Sequence, residues 1–411
     1  DPAKAYASIL RYQLGDFAPY AFKTEDYGAT WTRITHGIPD DYPVRVVRED
    51  PEREGLLYAG TEFGMFISFD DGANWQPFQL NLPVTPVTDL KIIDGDLYMS
   101  TMGRSFWIMD DLTPLHEITP EIAAAPAHLF SIQEAVRRRG GGRGGRGGDP
   151  SQPRYPQVGA YIDYWFSAAP ADEVTLDIYD ADGNLVRGYS SGPSRGPAEV
   201  PEGLSQSEWH LERVGTQRLP AAAGMHRFVW DLSYPGPWSA PRGGGRGGGG
   251  FGGGGGPMVP PGTYEARLTV GDWSASQYFE VVLDPRVPPE GITADMVTRQ
   301  AEFALEVRDT LSNARLAAYK LQQARTELEG AETDAARNLD EALREVQSQF
   351  ENEPYRYAPI MLLGQLQYLY GNLDSADQEV PRDAVTRHED LSATLDELVT
   401  QLERLLTTMR D

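Results

Sequence analysis

Carboxylates that recur at a regular spacing are the side chains of this sequence best suited to chemistry. Two stretches follow the pattern Ser/Thr-x-Asp-x-Gly-x-x-Trp, and a partial third copy contains Asp110 and Asp111. Two carboxylates can cleave a glycosidic bond when they lie about 5–10 Å apart across a substrate cleft. Neighbouring strand residues point to opposite faces, however, so an aspartate pair in sequence is not a pair in space. The complete copies consist of Thr24, Asp26, Gly28 and Trp31, and of Ser68, Asp70, Gly72 and Trp75.

A hairpin turn explains the same residue types without any reaction. A hydroxyl and an aspartate oxygen can accept hydrogen bonds from turn amides, glycine permits a positive φ, and tryptophan can return the chain to a core. We therefore interpret both copies as structural turns rather than carbohydrate or ion sites. Arg104 and Trp107, in the third copy, are the remaining candidates for contact with a ligand. For Arg104 a structural salt bridge is the preferred interpretation.

The rest of the sequence offers no catalytic set. It has no cysteine, no Gly-x-Ser-x-Gly motif and no phosphate-binding Gly-x-x-x-x-Gly-Lys-Ser/Thr loop. The six histidines lack the spacing of a metal site. We therefore predict no catalytic residue, no metal and no cofactor in this chain. Trp230, Trp238 and Trp273 could form a sugar-stacking platform, although core packing is the preferred interpretation.

The elements that position the aspartates form a repeat. Trp31 and Trp75 are 44 residues apart, and the strand patterns that begin at Leu57 and Leu97 are 40 residues apart. A period near 40 residues with four strands per repeat predicts blades of a β-propeller. Residues 1–118 therefore predict two to three terminal blades. Propellers close with about 4–8 blades, so a second chain or an N-terminal region is expected to complete the ring.

The remainder of the chain predicts a multidomain protein, mainly β plus α. Residues 119–157 are rich in Pro, Gly and Arg and predict a linker. Residues 158–284 alternate in short strands and predict a β-sandwich, with a glycine-rich insertion at residues 242–256. Residues 290–411 follow helical spacing, with Thr293 as an N-cap, and predict an antiparallel helical bundle. The last helix carries a heptad stripe of Leu391, Leu395, Leu398, Leu402, Leu405 and Met409.

Charge and hydropathy limit the classes of partner. The 411 residues carry a formal net charge of −25, which argues against general affinity for DNA or anionic membranes. No apolar run is long enough to span a bilayer. The arginine-glycine tracts at residues 137–148 and 242–256 could bind RNA, but loop insertions are the preferred interpretation. The opening residues already have the pattern of the middle of a blade, so we expect a fragment or a processed product.

Several segments resemble a known group of proteins. Residues 44–51, 57–64 and 101–111 are similar to the closing blades of large bacterial exported proteins with BNR/Asp-box repeats, which are sortilin-like or labelled glycosyl hydrolases. The β-sandwich is similar to an immunoglobulin-like module, and residues 355–359 and 368–378 resemble the helical tail of these chains. The resemblance implies export to the periplasm, the cell surface or the medium of a bacterium. It implies no particular reaction.

We therefore predict a non-catalytic extracytoplasmic scaffold whose propeller and immunoglobulin-like surfaces bind protein or peptide partners. The alternative is an Asp-box glycoside hydrolase, sialidase-like or glucanase-like, whose catalytic residues lie mostly in blades outside this sequence. The chain lacks the Arg-Ile-Pro motif of sialidases and a recognisable acid and nucleophile. This departure favours the scaffold.

Overall fold

The structure of the protein is a computed structural model. It describes residues 1–139, 156–192, 218–240, 255–330, 333–352 and 359–410. The chain forms two compact units, Asp1–Ala123 and Ala124–Asp411, which we call unit 1 and unit 2. Most of the glycine-rich insertion predicted at residues 242–256 lies outside the described residues, as do residues 140–155 and 353–358. The predicted mixture of β-sheets and α-helices is confirmed.

Unit 1 contains three consecutive antiparallel sheets, which we call sheets 1, 2 and 3. In each sheet the described strands are neighbours in the order in which the chain forms them, and two short helices follow sheet 3. Sheet 1 consists of β1 (Ala5–Ser8), β2 (Ala21–Thr24) and β3 (Thr32–Arg33); sheet 2 of β4 (Val44–Glu49), β5 (Leu57–Thr61), β6 (Gly64–Ser68) and β7 (Gln76–Pro77); sheet 3 of β8 (Val87–Ile93), β9 (Asp96–Thr101) and β10 (Phe106–Met109); the helices are α1 (Thr113–Glu117) and α2 (Pro120–Ala124).

The three sheets share one hydrogen-bonding pattern, which fixes their equivalent residues. In each sheet a backbone amide just after one strand (β2, β6 or β10) donates a hydrogen bond to a backbone carbonyl just before the strand that pairs with it (β1, β5 or β9). The donor–acceptor distances are 2.8–3.1 Å. The strands β1, β5 and β9 are therefore equivalent, as are β2, β6 and β10. The three donors and acceptors are Tyr27 and Ala3, Asp71 and Gly55, and Leu112 and Gly95. The equivalent register pairs are Ala5 with Thr24, Leu57 with Ser68, and Leu97 with Met109.

Sheet 2 packs between sheets 1 and 3 because both of its faces are apolar. We call the face that points toward the next sheet along the chain the forward face, and the opposite one the backward face. On sheet 2, the forward face shares a core with sheet 3, and the backward face shares a core with sheet 1. The forward-face residues include Tyr58, Met65 and Ile67; the backward-face residues include Leu57, Ala59, Phe66 and Trp75.

Unit 2 begins with two sheets that enclose one hydrophobic core. Apolar residues alternate along their strands, so one side of each sheet is buried. In order of pairing, the three-stranded sheet consists of β11 (Ala127–Leu129), β13 (Ala160–Phe166) and β16 (Gly224–Trp230), and the five-stranded sheet of β12 (Ala135–Arg137), β18 (Trp273–Leu283), β17 (Gly262–Val270), β14 (Val174–Tyr179) and β15 (Leu185–Ser190).

Part of the segment that the sequence predicts as a linker belongs to these sheets. Residues 119–157 include α2, β11 and β12, which the sequence analysis did not foresee. The strand β12 pairs in parallel with β18, with Ala135 opposite Val281. The strands β11 and β12 have only three residues each, and their partner strands lie far along the chain. Periodicity in the sequence therefore could not indicate them.

Four helices share a second core in unit 2. Thr293 caps the first of them, as predicted, because its hydroxyl accepts a hydrogen bond from the Met296 amide at 3.3 Å. The predicted leucine stripe of the last helix faces the core, where Leu391, Leu395, Leu398 and Leu402 are buried. The helices are α3 (Ala294–Leu328), α4 (Asp334–Phe350), α5 (Leu362–Leu373) and α6 (Arg382–Arg410).

Candidate functional site

The turn between β6 and β7 contains the second complete aspartate motif. The Ser68 hydroxyl accepts a hydrogen bond from the Gly72 amide at 2.9 Å. The Asp70 carboxylate accepts hydrogen bonds from the Asn74 amide at 2.8 Å and from its side chain at 2.7 Å. Burial opposes the charge of Asp70, but these donors outweigh it and lower the pKa of the carboxyl. Asp70 is therefore ionised and already occupied by donors within its own turn.

The turn between β2 and β3 repeats this geometry. The Thr24 hydroxyl accepts from the Gly28 amide at 2.9 Å. The Asp26 carboxylate accepts from the Thr30 amide at 2.8 Å and from the Thr30 hydroxyl at 2.7 Å. These hydrogen bonds lower the pKa of Asp26. The general acid of a glycosidase needs a raised pKa, so the environment of Asp26, like that of Asp70, is unsuited to that role.

The two motif tryptophans differ in burial. Trp75 is only 5% exposed, and its Nε1 donates to the Ile34 carbonyl at 2.9 Å. Trp31 is 46% exposed and so does not occupy a core within the described residues. The difference follows from position, because Trp75 packs against sheet 1, whereas Trp31 lies on the backward face of sheet 1 itself, which no other described sheet of unit 1 covers.

The two candidate ligand contacts of the third copy have different environments. Trp107 is half-buried against the core shared by sheets 2 and 3, and its Nε1 donates to the Arg104 carbonyl at 2.8 Å. The Arg104 side chain is exposed, and the expected salt bridge is not formed with any described residue. Arg104 is therefore accessible to a ligand, while Trp107 mainly supports the sheet.

A cluster that the sequence analysis missed joins sheets 1 and 2. The Asp71 carboxylate binds Lys4 at 3.1 Å and Lys23 at 2.9 Å, and it also accepts from the Tyr6 hydroxyl. Burial opposes ionisation of Asp71, but these three donors outweigh it and lower its pKa. Burial raises the pKa of Tyr6, and the hydrogen bond to Asp71 raises it further. Asp70 and Asp71, adjacent in sequence, thus bind different partners.

The forward face of sheet 3 is apolar and uncovered. Tyr98, Phe106 and Ile108 on this face are equivalent to Tyr58, Met65 and Ile67 of sheet 2, which are buried in the core shared with sheet 3. The exposed fractions are 37% for Tyr98, 82% for Phe106 and 51% for Ile108, against 0% for Tyr58, 2% for Met65 and 1% for Ile67. An exposed cluster of large apolar side chains is typical of a protein interaction site.

The outer edge of sheet 3 is also open. The strand β10 pairs with β9, and within the described residues no strand pairs with its other side. Its equivalent in sheet 2, β6, pairs with both β5 and β7. An unpaired strand edge presents amide and carbonyl groups that can bind an added strand. Edge and face together make sheet 3 the candidate interaction site.

Two arginines of the first arginine-glycine tract are buried in unit 2. Arg137 is fully buried on β12, and it donates to the Val259 carbonyl at 2.8 Å and to the Asp377 carboxylate. Arg139 binds Asp377 and Asp374, the latter at 2.7 Å. Burial lowers the pKa of Arg137, and the neighbouring charge of Arg139 lowers it further. The RNA-binding interpretation is therefore wrong for these two arginines, because their donors bind the loop after α5.

The tryptophans considered as a sugar platform serve in packing. Trp230 is fully buried and Trp238 is buried, while Trp273 packs against the core of the two sheets. Within the described part of the chain, no three His, Asp or Glu side chains come close enough to hold a metal ion. No described helix has the length and hydropathy needed to cross a bilayer.

Comparison with known proteins yields only remote similarity. No family model matches the chain. No curated protein sequence matches it either. An ancestral GH74 enzyme is 13% identical over 47% of this chain and 27% of its own, with a TM-score of 0.22. YCF48 bound to a D1 peptide is 13% identical over 36% of this chain and 43% of its own, with a TM-score of 0.19.

The extracellular domain of a one-component system from B. thetaiotaomicron is 9% identical over 64% of this chain and 28% of its own, with a TM-score of 0.19. The chain thus spans less than half the length of each of these structures. TM-scores this low carry no argument about the fold or the activity of the chain.

Proposed function

We propose that this chain is part of an extracytoplasmic scaffold that binds protein or peptide partners without catalysis. In this proposal, sheets 1, 2 and 3 are consecutive blades of a β-propeller of the BNR/Asp-box type. The two sheets of unit 2 are an immunoglobulin-like sandwich, and its four helices are an antiparallel bundle. The aspartate motifs serve as turns that hold β2 to β3 and β6 to β7.

The main observation that supports this proposal is the uncovered forward face of sheet 3. Burying a large apolar side chain stabilises a complex by about 1.5–3 kcal/mol. Phe106 and Ile108 are exposed, whereas their equivalents Met65 and Ile67 are buried against sheet 3. A partner that covers Phe106 and Ile108 would therefore bury apolar surface in the same way as sheet 3 buries Met65 and Ile67. Aromatic residues such as Phe106 and Tyr98 are enriched in protein interfaces.

The chemistry of the aspartates supports the non-catalytic part of the proposal. Asp26 and Asp70 have lowered pKa values and accept hydrogen bonds from their own turns. Neither is suited to donate a proton to a leaving group at neutral pH.

Site-specific photocrosslinking in the producing cell tests the proposal. A benzophenone amino acid replaces Phe106 in one variant and Tyr278, a 68% exposed residue of β18, in the control variant. We expect a discrete crosslinked polypeptide from position 106 and none of the same mass from position 278. No crosslink from position 106 would contradict the binding role. Turnover of sialosides or β-glucans by the purified chain would contradict the non-catalytic role and support the hydrolase.

A further inference from the structure

Three loops at one end of sheets 2 and 3 expose large apolar side chains. The β5–β6 and β9–β10 turns lie at the same end of their sheets, because β5 is equivalent to β9 and β6 to β10. The strand β7 runs antiparallel to β6, so the loop from β7 to β8 lies at that end as well. We call Phe63, Leu80, Val84 and Met102 the tip cluster; they are 42%, 69%, 72% and 57% exposed.

Hydrogen bonds bring these three loops together. At the start of the β7–β8 loop, the Gln79 Oε1 accepts from the Met65 amide of β6 at 3.2 Å. At its end, the Pro86 carbonyl accepts from the Met102 amide at 2.9 Å, and the Thr85 hydroxyl donates to the Met102 carbonyl at 3.2 Å. The β7–β8 loop therefore bridges the two turns, and the tip cluster belongs to one surface.

Side-chain hydrogen bonds also fix the shape of these loops. The Thr61 hydroxyl accepts from the Phe63 amide at 3.1 Å. The Gln79 Nε2 donates to the Leu82 carbonyl at 2.6 Å and to the Pro83 carbonyl at 3.1 Å. A surface that is fixed before binding loses little conformational entropy when a partner arrives, which favours affinity.

The backbone at Leu80 is unfavourable for leucine. Its φ is +43°, in the left-handed region that residues with a side chain seldom adopt. The side chain is also exposed, so no core of unit 1 compensates for this conformation. Backbone strain of this kind is concentrated at ligand-binding positions. The strain and the exposure of Leu80 thus point independently to a contact with a partner.

The exposure of the tip cluster does not depend on how the ring of sheets is completed. Sheets pack on one another through their faces, whereas the tip cluster lies at the ends of the strands. A further sheet of the proposed propeller would cover a face and leave the tip cluster open.

The charges around the tip cluster favour a polypeptide over an anionic membrane. The loop from β3 to β4 reaches the cluster, where the ring centroids of Tyr42 and Phe63 are 4.8 Å apart. Asp40 and Asp41 are exposed on that loop, and their carboxylates repel an anionic bilayer. On the opposite side, Arg104 is exposed two residues after Met102, where it can bind a single carboxylate of a partner.

We infer that the tip cluster binds an extended polypeptide segment with apolar side chains and an acidic residue that pairs with Arg104. Packed sheets lie about 10 Å apart, a distance that about three residues of an extended chain span. A short segment can therefore contact the turns of sheets 2 and 3 and the loop between them. This inference goes beyond the proposed function, because the tip cluster is a different surface from the forward face of sheet 3.

Selection from a random eight-residue peptide library, displayed on phage and offered to the full chain, provides the probe. We expect the enriched sequences to share apolar positions and an aspartate or glutamate. The most enriched sequence is then synthesised, and its dissociation constant is measured by fluorescence anisotropy.

Variants of the chain assign this peptide to the tip cluster. Leu80→Asn and Val84→Ser are each expected to raise the dissociation constant by about tenfold or more. Asparagine tolerates the left-handed region, so Leu80→Asn removes the apolar side chain without disturbing the loop, and circular dichroism should be unchanged. Ile360→Ser, at a 58% exposed residue of unit 2, is the matched control and should leave the dissociation constant unchanged.

A second comparison tests the charge pair. Replacing the acidic residue of the peptide by its amide should weaken binding to the wild-type chain by about two- to fivefold. The same replacement should have no effect on binding to Arg104→Gln.

Two results would overturn the inference: no enriched sequence, or an enriched peptide whose affinity Leu80→Asn does not change. Vesicles of phosphatidylcholine and phosphatidylglycerol provide the membrane comparison. Vesicle binding that Leu80→Asn abolishes, without any peptide binding, would also overturn it and assign the tip cluster to a membrane. A crosslink from position 106 that persists in any of these cases would leave the proposed scaffold function in place.

Discussion

The glycine in each aspartate motif provides a matched pair of substitutions. Gly28 and Gly72 occupy the same position of the turn, with φ of +85° and +83°. A Cβ at Gly28 meets no atom closer than the Trp31 ring at 3.9 Å. A Cβ at Gly72 lies 2.8 Å from Ile34 Cδ1, 3.1 Å from Ile34 Cβ and 3.3 Å from Leu57 Cδ1. Alanine at the two positions therefore meets the same backbone strain and different packing.

The expected costs follow from these distances. A left-handed conformation costs a non-glycine residue about 1–2 kcal/mol, and both Gly28→Ala and Gly72→Ala incur that cost. Overpacking a core adds about 1–3 kcal/mol. That addition applies to Gly72→Ala alone, because Ile34 and Leu57 are buried and cannot both move away from the new methyl group. We expect Gly72→Ala to destabilise the strands beside its turn by about 1–3 kcal/mol more than Gly28→Ala.

Hydrogen exchange measured by mass spectrometry suits this comparison, because a chain of two compact units need not unfold in a single transition. The free energy of opening is measured on peptides that cover β2 and β6. Gly183→Ala, in a turn of unit 2 with φ of +80° and open space around its Cβ, is the control and should leave both peptides unchanged. Equal costs for Gly28→Ala and Gly72→Ala would refute the packing assigned to the second motif.

Three further predictions concern ion pairs and the motif carboxylate. Asp377→Ala should lower the free energy of unfolding of unit 2 in urea by about 3–5 kcal/mol, because it leaves buried Arg137 without its carboxylate; Asp390→Ala, at an exposed pair, should change it by less than about 0.5 kcal/mol. The pKa of Asp71 is lowered from 3.8, so its contribution to stability should be complete above pH 3.8 and lost as the pH falls further. The pKa of Tyr6 is raised from 10.0, so its contribution should be complete below pH 10.0 and lost as the pH rises. Amide exchange in β1, measured against pH, follows both changes, and Asp71→Asn should abolish the loss of stability at low pH. Asp70→Ala should destabilise the second motif by about 0.5–1.5 kcal/mol, because it removes the acceptor of the exposed Asn74 amide, as hydrogen exchange on the peptide that covers β6 would show.

Local patterns predicted the strands of unit 1 and the last helix well. The spacing of Trp31 and Trp75 indicated a sheet repeat, and sheets 1 and 2 each contain one of the two motifs at the turn before their last described strand. The leucine stripe from Leu391 to Leu402 indicated the buried side of α6. Both signals depend on residues close together in the chain, which is where periodicity carries information.

Pairings between distant residues could not be predicted in the same way. Arg137 and Arg139 stand at the start of a glycine-rich tract, whose composition indicates a solvated loop. Their burial depends on Asp374 and Asp377, more than 230 residues away, which no local pattern connects to them. The strand Ala135–Arg137 has only three residues, too few for a period to indicate a strand.

The candidate interaction site became visible only when equivalent residues of the sheets were compared. Phe106 and Ile108 alternate with Trp107 as in any half-buried strand, and the sequence alone does not say which face is covered. The exposure of Phe106 and Ile108 indicates an uncovered contact face, because Met65 and Ile67 are buried at the equivalent positions of sheet 2. Sequence analysis selected Trp107 from the same strand, but its ring faces the core shared with sheet 2.

Protection of Phe106 in the producing cell is the most direct measurement of whether sheet 3 binds a polypeptide. Hydroxyl-radical footprinting with mass spectrometry can compare oxidation of Phe106 with that of Tyr278, which is 68% exposed on unit 2. A bound partner should protect Phe106 strongly, although it is 82% exposed in the chain alone, and leave Tyr278 reactive. Oxidation of Phe106 at the rate of an exposed residue in the cell would contradict the binding role of this face.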